Sequence, residues 1–291
     1  MKKAVSVLIA LLLLFAAGCA TQPEAEPVPA AEPTAPTVAE PAPAPTEEPA
    51  PEPVELVVFA AASMTETMTK IAELYKAVVP EVTLVYNFDS SGTLKTQIKE
   101  GADCDLFISA AQKQMNELDA SKDAETNPDG LDFVLQGSRV NLLENKVALV
   151  VPEGNAANIK AFADIANCES ISLGNDDVPV GQYSKEILTN LGLLEGLEKD
   201  KKISYGSNVK EVTTQVSEGA VDCGIVYATD AFSAGLEVVD LAAKDMCKQV
   251  IYPAAVLNIS KNPEVAQAFL DYLKTDEAMA VFQGVGFAPA S

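Results

Sequence analysis

From Leu56 onward, short apolar runs alternate with stretches whose apolar residues recur at helical spacing. This alternation limits the fold more than any other feature of the chain. The strand-like runs are residues 56–60 (LVVFA), 82–88 (VTLVYNF), 105–110 (DLFISA), 146–151 (KVALVV), 170–174, 223–228 (CGIVYA) and 250–259. Between the first two, Met64, Met68, Ile71, Leu74, Tyr75 and Val78 repeat at the period of a helix, and Pro80 ends it. Further helices fit at 92–100, 162–166, 181–191, 209–217 and 263–273. Strands alternating with helices predict mainly parallel sheets with helices on their faces. There are too many units for one compact half, so the reading is α/β with two lobes. Residues 114–141 are polar and irregular and read as surface cover without a role of their own.

The start of the chain does not belong to that pattern. Lys2 and Lys3 precede an apolar run from 4 to 17, then Gly18 and Cys19. A basic start and a short apolar core are an export signal, and the run is too short to span a bilayer comfortably. Residues 16–19 (AAGC) resemble a bacterial lipobox, which implies a signal peptide over 1–18 and lipidation of Cys19. The plain alternative is a signal peptide that happens to contain a cysteine. Residues 19–54 are rich in Pro, Ala, Glu and Thr, with glutamate the only charged type. Such a stretch buries too little apolar surface to offset chain entropy and favours extended conformations. It reads as a disordered tether reaching on the order of 100 Å, at roughly 3.1 Å per residue. The folded part then divides as 55–145 for a first lobe, 146–250 for a second, and 251–291 returning to the first. The strands 146–151 and 250–259 would act as hinges.

A formal charge of −22 argues against nucleic acid, which needs a basic surface. It does not exclude an anionic ligand held by backbone N–H groups and helix ends, whose fields are local. The chain has no histidine, which removes His-based nucleophilic catalysis and the commonest metal ligand. No Gly-x-Ser-x-Gly nucleophile motif stands in the sequence. Cys104, Cys168, Cys223 and Cys247 match no zinc spacing. Cys104 and Cys223 open apolar runs and read as buried thiols. Export would allow a pair to oxidise, with no pairing specified.

Four places share one pattern, in which a strand ends, small or hydroxyl residues follow, and a helix begins. They are residues 60–63 (AAAS), 89–93 (DSSGT), 179–181 (PVG) and 207–209 (SNV). A helix N-terminus leaves N–H groups without intrahelical partners and carries about half a positive charge. Several converging would hold an anion beyond the carboxyl ends of the strands. Each also has a structural reading. Ser63 with Glu66 and Asn208 with Glu211 fit capping boxes, Ser91 and Thr93 fit caps, and Gly181 fits a tight turn.

Residues 57–65 (VVFAAASMT), 88–98 (FDSSGTLKTQI), 101–111 (GADCDLFISAA), 178–184 (VPVGQYS), 224–231 (GIVYATDA) and 251–256 (IYPAAV) resemble, in order, the molybdate-binding proteins of ABC transporters, the ModA family. The resemblance runs from about Leu56 to Phe287. It implies a two-lobed type II periplasmic-binding-protein fold closing on a tetrahedral oxyanion in the cleft between lobes. The implied ligand residues are Ser63, Ser91, Val180, Val209 and Tyr227, giving hydroxyls, main-chain N–H groups and a phenol. Molybdenum would arrive only inside the oxyanion, with no direct protein ligand and no cofactor. The implied partners are a membrane permease and, through Cys19, the membrane itself, with the protein a monomer outside the cytoplasm. A fully deprotonated dianion only accepts hydrogen bonds, so its site should offer donors alone. Asp89 tests this, because hydrogen phosphate needs an acceptor. Gly92 stands where several family members have serine. A sulfate or phosphate receptor, an enzyme built on a carboxylate pair, and an adhesive surface lipoprotein are the alternatives the sequence leaves open.

Overall fold

A computed structural model describes residues 53–290. The export signal, Cys19 and nearly all of the tether lie outside the described residues. The first strand, β1 (Val54–Ala61), leads through one 3-10 turn (Ala62–Met64) into α1 (Thr65–Val78). Next come β2 (Val82–Asp89), α2 (Ser91–Lys99), β3 (Leu106–Ile108), α3 (Gln112–Asn116) and β4 (Val140–Asn145). After Lys146 the chain continues as β5 (Val147–Val151), a 3-10 turn (Phe162–Asn167), β6 (Ile171–Gly174), α4 (Pro179–Asn190), α5 (Leu194–Lys199) and β7 (Ile203–Gly206). Then follow α6 (Val209–Ser217), β8 (Cys223–Tyr227), α7 (Ala228–Ala234) and β9 (Glu237–Leu241). The last elements are β10 (Val250–Val256), α8 (Pro263–Tyr272), α9 (Asp276–Gln283) and β11 (Ala288–Pro289).

These strands form two sheets, in the orders β11-β4-β10-β3-β1-β2 and β7-β6-β8-β5-β9. The sheets are mixed rather than mainly parallel, which corrects that part of the expectation. Pairs β1–β2, β1–β3, β6–β7 and β6–β8 are parallel, as helical crossovers require. Strand β10 is antiparallel to β3 and β4, β11 to β4, and β5 to β8 and β9. The cause is the double passage of the chain between sheets, from β4 to β5 and from β9 to β10. Neither passage carries a crossover helix, so the strands beside it enter against the direction of their neighbours.

The central strands read as unbroken apolar runs because both faces are covered. Val58, Ala60, Leu106, Ile108, Ala254 and Val256 enter the main core. Their neighbours Phe59, Phe107 and Ala255 point the other way, into a second core with Leu94, Ile98, Met115, Leu118 and Val134. Residues 114–141 close that second core. Arg139, bonded to Asp119 (2.7 Å), Gln112 (2.5 Å) and Asn116 (2.6 Å), pins them in place. All four cysteines from Cys104 on are free thiols, and Cys104, Cys168 and Cys223 are buried. Among the described residues no group of His, Cys, Asp or Glu could hold a metal ion.

Candidate functional site

The carboxyl ends of β1, β2, β6, β7 and β8 lead, directly or through a short loop, into helices or a helical turn. Residues from four of these junctions, those after β1, β2, β6 and β7, surround one small cavity with Ala110 and Tyr227. Its wall holds Ser63, Asp89, Ser90, Ser91, Ala110, Val178, Pro179, Val209 and Tyr227. It is far smaller than the clefts of roughly 300–1,000 Å³ that hold drug-sized organic molecules, so it suits a ligand of a few atoms at most. Of the five residues singled out from the sequence, Ser63, Ser91, Val209 and Tyr227 line it directly. Val180 lies just behind Pro179 as the second residue of α4 and is fully buried.

The structural readings of the four junctions separate cleanly. Ser63 is not a cap, since α1 has no side-chain cap and Glu66 turns away to Lys210. At α2 the cap is Ser90, whose Oγ accepts the N–H of Thr93 at 3.1 Å, leaving Ser91 uncommitted to capping. Asn208 does cap α6, with Oδ1 accepting the N–H of Glu211 at 3.1 Å. Gly181 serves close approach rather than a turn, for a Cβ there would meet the Gly174 carbonyl oxygen at 2.2 Å. Among the described residues, no acceptor takes the backbone N–H of Ser63, Ser91, Val180 or Val209. Four first-turn donors are therefore held ready at one place.

The hydroxyls are poised in the same sense. Ser91 Oγ accepts the N–H of Ala110 at 3.0 Å, so its own proton is free to be donated. Ser63 Oγ lies 2.9 Å from the Tyr252 hydroxyl, which itself accepts from Asn145 Nδ2 at 3.2 Å. With Tyr252 donating to Ser63, the Ser63 proton is also left for a ligand. Asn145 Nδ2 bonds Thr229 Oγ1 as well, at 2.8 Å. Asn145 ends β4 at the first passage between sheets, Tyr252 lies in β10 after the second, and Thr229 is in α7. One network thus ties a cavity hydroxyl to both passages. Tyr227 donates its phenol proton to the Ala110 carbonyl at 3.2 Å. Burial pushes the phenols of Tyr227 and Tyr252 well above their usual range, so both remain protonated donors. Tyr252, Asn145 and Ala110 were not singled out from the sequence. A polar tyrosine inside the apolar run 250–259 was the available signal.

Two further residues shape the opening. Asp89 lines the cavity, and its Oδ1 accepts the N–H of Ser90 at 2.7 Å. Gly92 donates its N–H to the Asp177 carbonyl at 3.0 Å, joining α2 beside the first sheet to the loop before α4 beside the second. Its N–H is therefore spent on that contact rather than offered to the cavity.

Known proteins resemble this chain over nearly all of the described residues. The family of bacterial extracellular solute-binding proteins matches residues 56–288. YvgL of Bacillus subtilis, provisionally named an ABC transporter substrate-binding lipoprotein, is 36% identical over 236 residues, covering 80% of this chain and 86% of its own length. The molybdate-binding protein ModA of Escherichia coli is 35% identical over 241 residues, covering 80% and 88%. The solved periplasmic molybdate-binding protein of Azotobacter vinelandii shares the fold with a TM-score of 0.69 at 23% identity, covering 81% of this chain and 100% of that one. That fold is the type II periplasmic-binding-protein fold, with two sheets flanked by helices. The chain belongs to the bacterial extracellular solute-binding proteins and, among them, to the ModA family.

Proposed function

We propose that this protein is an extracytoplasmic receptor that captures molybdate or tungstate and presents it to the permease of an ABC transporter. The observation that carries the reading is the small cavity whose wall offers the unpaired N–H groups of Ser63, Ser91 and Val209, with that of Val180 just behind it, and the hydroxyls of Ser63 and Ser91. A tetrahedral dianion presents only acceptors, and such a site matches it. No lysine or arginine lines the cavity, so attraction comes from helix ends rather than from net charge. Ser63 and Ser91 donate hydroxyls and N–H groups, Val180 and Val209 donate N–H groups, and Tyr227 turns its phenol from Ala110 to the ion.

On this reading residues 55–145 with 251–291 form one lobe and 146–250 the other, and the passages at 146 and 242–249 bend as the lobes close. The protein performs no chemistry on its ligand. It works as a monomer held at the membrane surface by a lipid on Cys19 and the tether over 19–54. Calorimetry with molybdate, tungstate, sulfate and phosphate tests the proposal. Binding of molybdate or tungstate tighter than micromolar, and well ahead of the other two, is expected; failure of both to bind that tightly would overturn it. A second reading, hydrogen phosphate, is favoured by one observation, the presence of Asp89 in the cavity wall, where a carboxylate would accept the ligand's proton. Preference for phosphate at pH 7 would establish it.

A further inference from the structure

Lys210 violates a local rule. It is the second residue of α6, where the helix end is electropositive and a cation is unfavourable. Its side chain leaves α6 altogether. Nζ donates to Glu66 Oε1 at 2.9 Å and Oε2 at 2.8 Å, and Glu66 is the second residue of α1. The same ammonium lies 3.2 Å from Asp230 Oδ1, in the first turn of α7, without hydrogen-bond alignment. Asp230 is fully buried. Helix α1 follows a strand of the first sheet, whereas α6 and α7 belong to the second. The pair Glu66–Lys210 therefore spans the two layers at the rim of the cavity, three residues from Ser63 and one from Val209.

We propose that Lys210 is an interlobe latch, a positioning residue that holds the α6 N-terminus against the α1 N-terminus once an anion is enclosed, while masking the Asp230 and Glu66 carboxylates from that anion. The proposal deepens the oxyanion reading and rests on it for the ligand. The half-exposed Glu66 end makes the latch reversible, because exposed pairs contribute little individually. The buried Asp230 end fixes the lysine on its own lobe, so the contact that breaks on opening is the one to Glu66. A contact made only after closure acts on release rather than on encounter.

The test uses the full chain and two readouts. Stopped-flow measurement with molybdate and tungstate on Glu66→Gln should show dissociation about two- to fivefold faster, with association and the melting temperature of the ligand-free protein unchanged. Lys210→Arg should retain the slow release. Zero-length carbodiimide cross-linking followed by mass spectrometry should join Glu66 to Lys210 in the wild type, more so with molybdate present. Dissociation from Glu66→Gln equal to that from wild type, or no such cross-link, overturns the latch and leaves the oxyanion reading standing. A cross-link in a protein that binds neither oxyanion overturns that reading and leaves the latch.

Discussion

Replacing Gly92 by alanine puts two consequences of one methyl group in opposition. A Cβ at position 92 would lie 2.5 Å from the Asp177 carbonyl oxygen, 2.7 Å from its Cα and 2.8 Å from its Cβ. Ordinary carbon contacts stand at roughly 3.5–4.0 Å, so the overlap is about 1 Å, and two of the three atoms are backbone. Overpacking of this kind costs about 1–3 kcal/mol. Because the contact joins the two layers, opening the cleft relieves it, and the cost falls on the closed, ligand-holding form. At about 1.4 kcal/mol per tenfold, the affinity for molybdate or tungstate should fall about 5- to 150-fold. The same substitution improves helix propensity near the start of α2 by up to about 1 kcal/mol. Thermal unfolding of the ligand-free protein should therefore be unchanged or slightly raised while calorimetry reports weakened binding. Affinity within twofold of wild type would refute the claim that closure brings Gly92 against Asp177. Weakened affinity with an equally lowered melting point would attribute the effect to folding instead.

Three other outcomes follow from the site. Ser91→Val removes a donor to a dianion, and since hydrogen bonds to charged groups contribute about 1.5–3 kcal/mol, calorimetry should show affinity reduced about 10- to 150-fold. Tyr252→Phe removes the group that fills the acceptor position of Ser63, and a loss of about 1 kcal/mol, or roughly fivefold in affinity, is expected without direct ligand contact. Asp230 titrates at about 6 rather than 3.8 because burial raises it against the pull of Lys210. Lys210, Glu66, Tyr227 and Tyr252 are the titratable groups that act on it. A raised carboxyl favours the folded state while protonated, so wild type should lose stability as pH rises from about 4 to about 6. Asp230→Asn cannot ionise, and over that window its melting temperature should gain on wild type by the equivalent of up to roughly 3 kcal/mol.

The parts of the fold legible in the sequence were those with a strong period. Runs 56–60 and 82–88 and the helix from Met64 to Val78 are long and apolar on the buried side, and the structure matches them within a residue or two. What stayed hidden was short or half-buried. Helices α3 and α5 have five and six residues, too few to show a helical repeat. Helix α7 begins at Ala228 directly from β8, so its start read as strand. Strand β9 is an edge strand with several exposed positions, and its pattern is weak. Alternation reports the elements and not the passages between sheets, so it does not carry strand direction. At the site, the helix starts were visible because small and hydroxyl residues crowd there. The Ser63–Tyr252–Asn145 network joins residues up to 189 positions apart, and no local pattern encodes such a meeting. The same holds for Glu66 and Lys210, where the local pattern pointed to a capping box that the structure does not form.

The most direct test of the oxyanion reading is an anomalous difference map at the molybdenum edge from crystals grown with molybdate. The account predicts one strong peak inside the cavity, within hydrogen-bonding reach, through its oxygens, of Ser63, Ser91, Val180, Val209 and Tyr227, with the Tyr227 hydroxyl turned away from Ala110. A peak elsewhere, or none in the cavity at saturating molybdate, would contradict it.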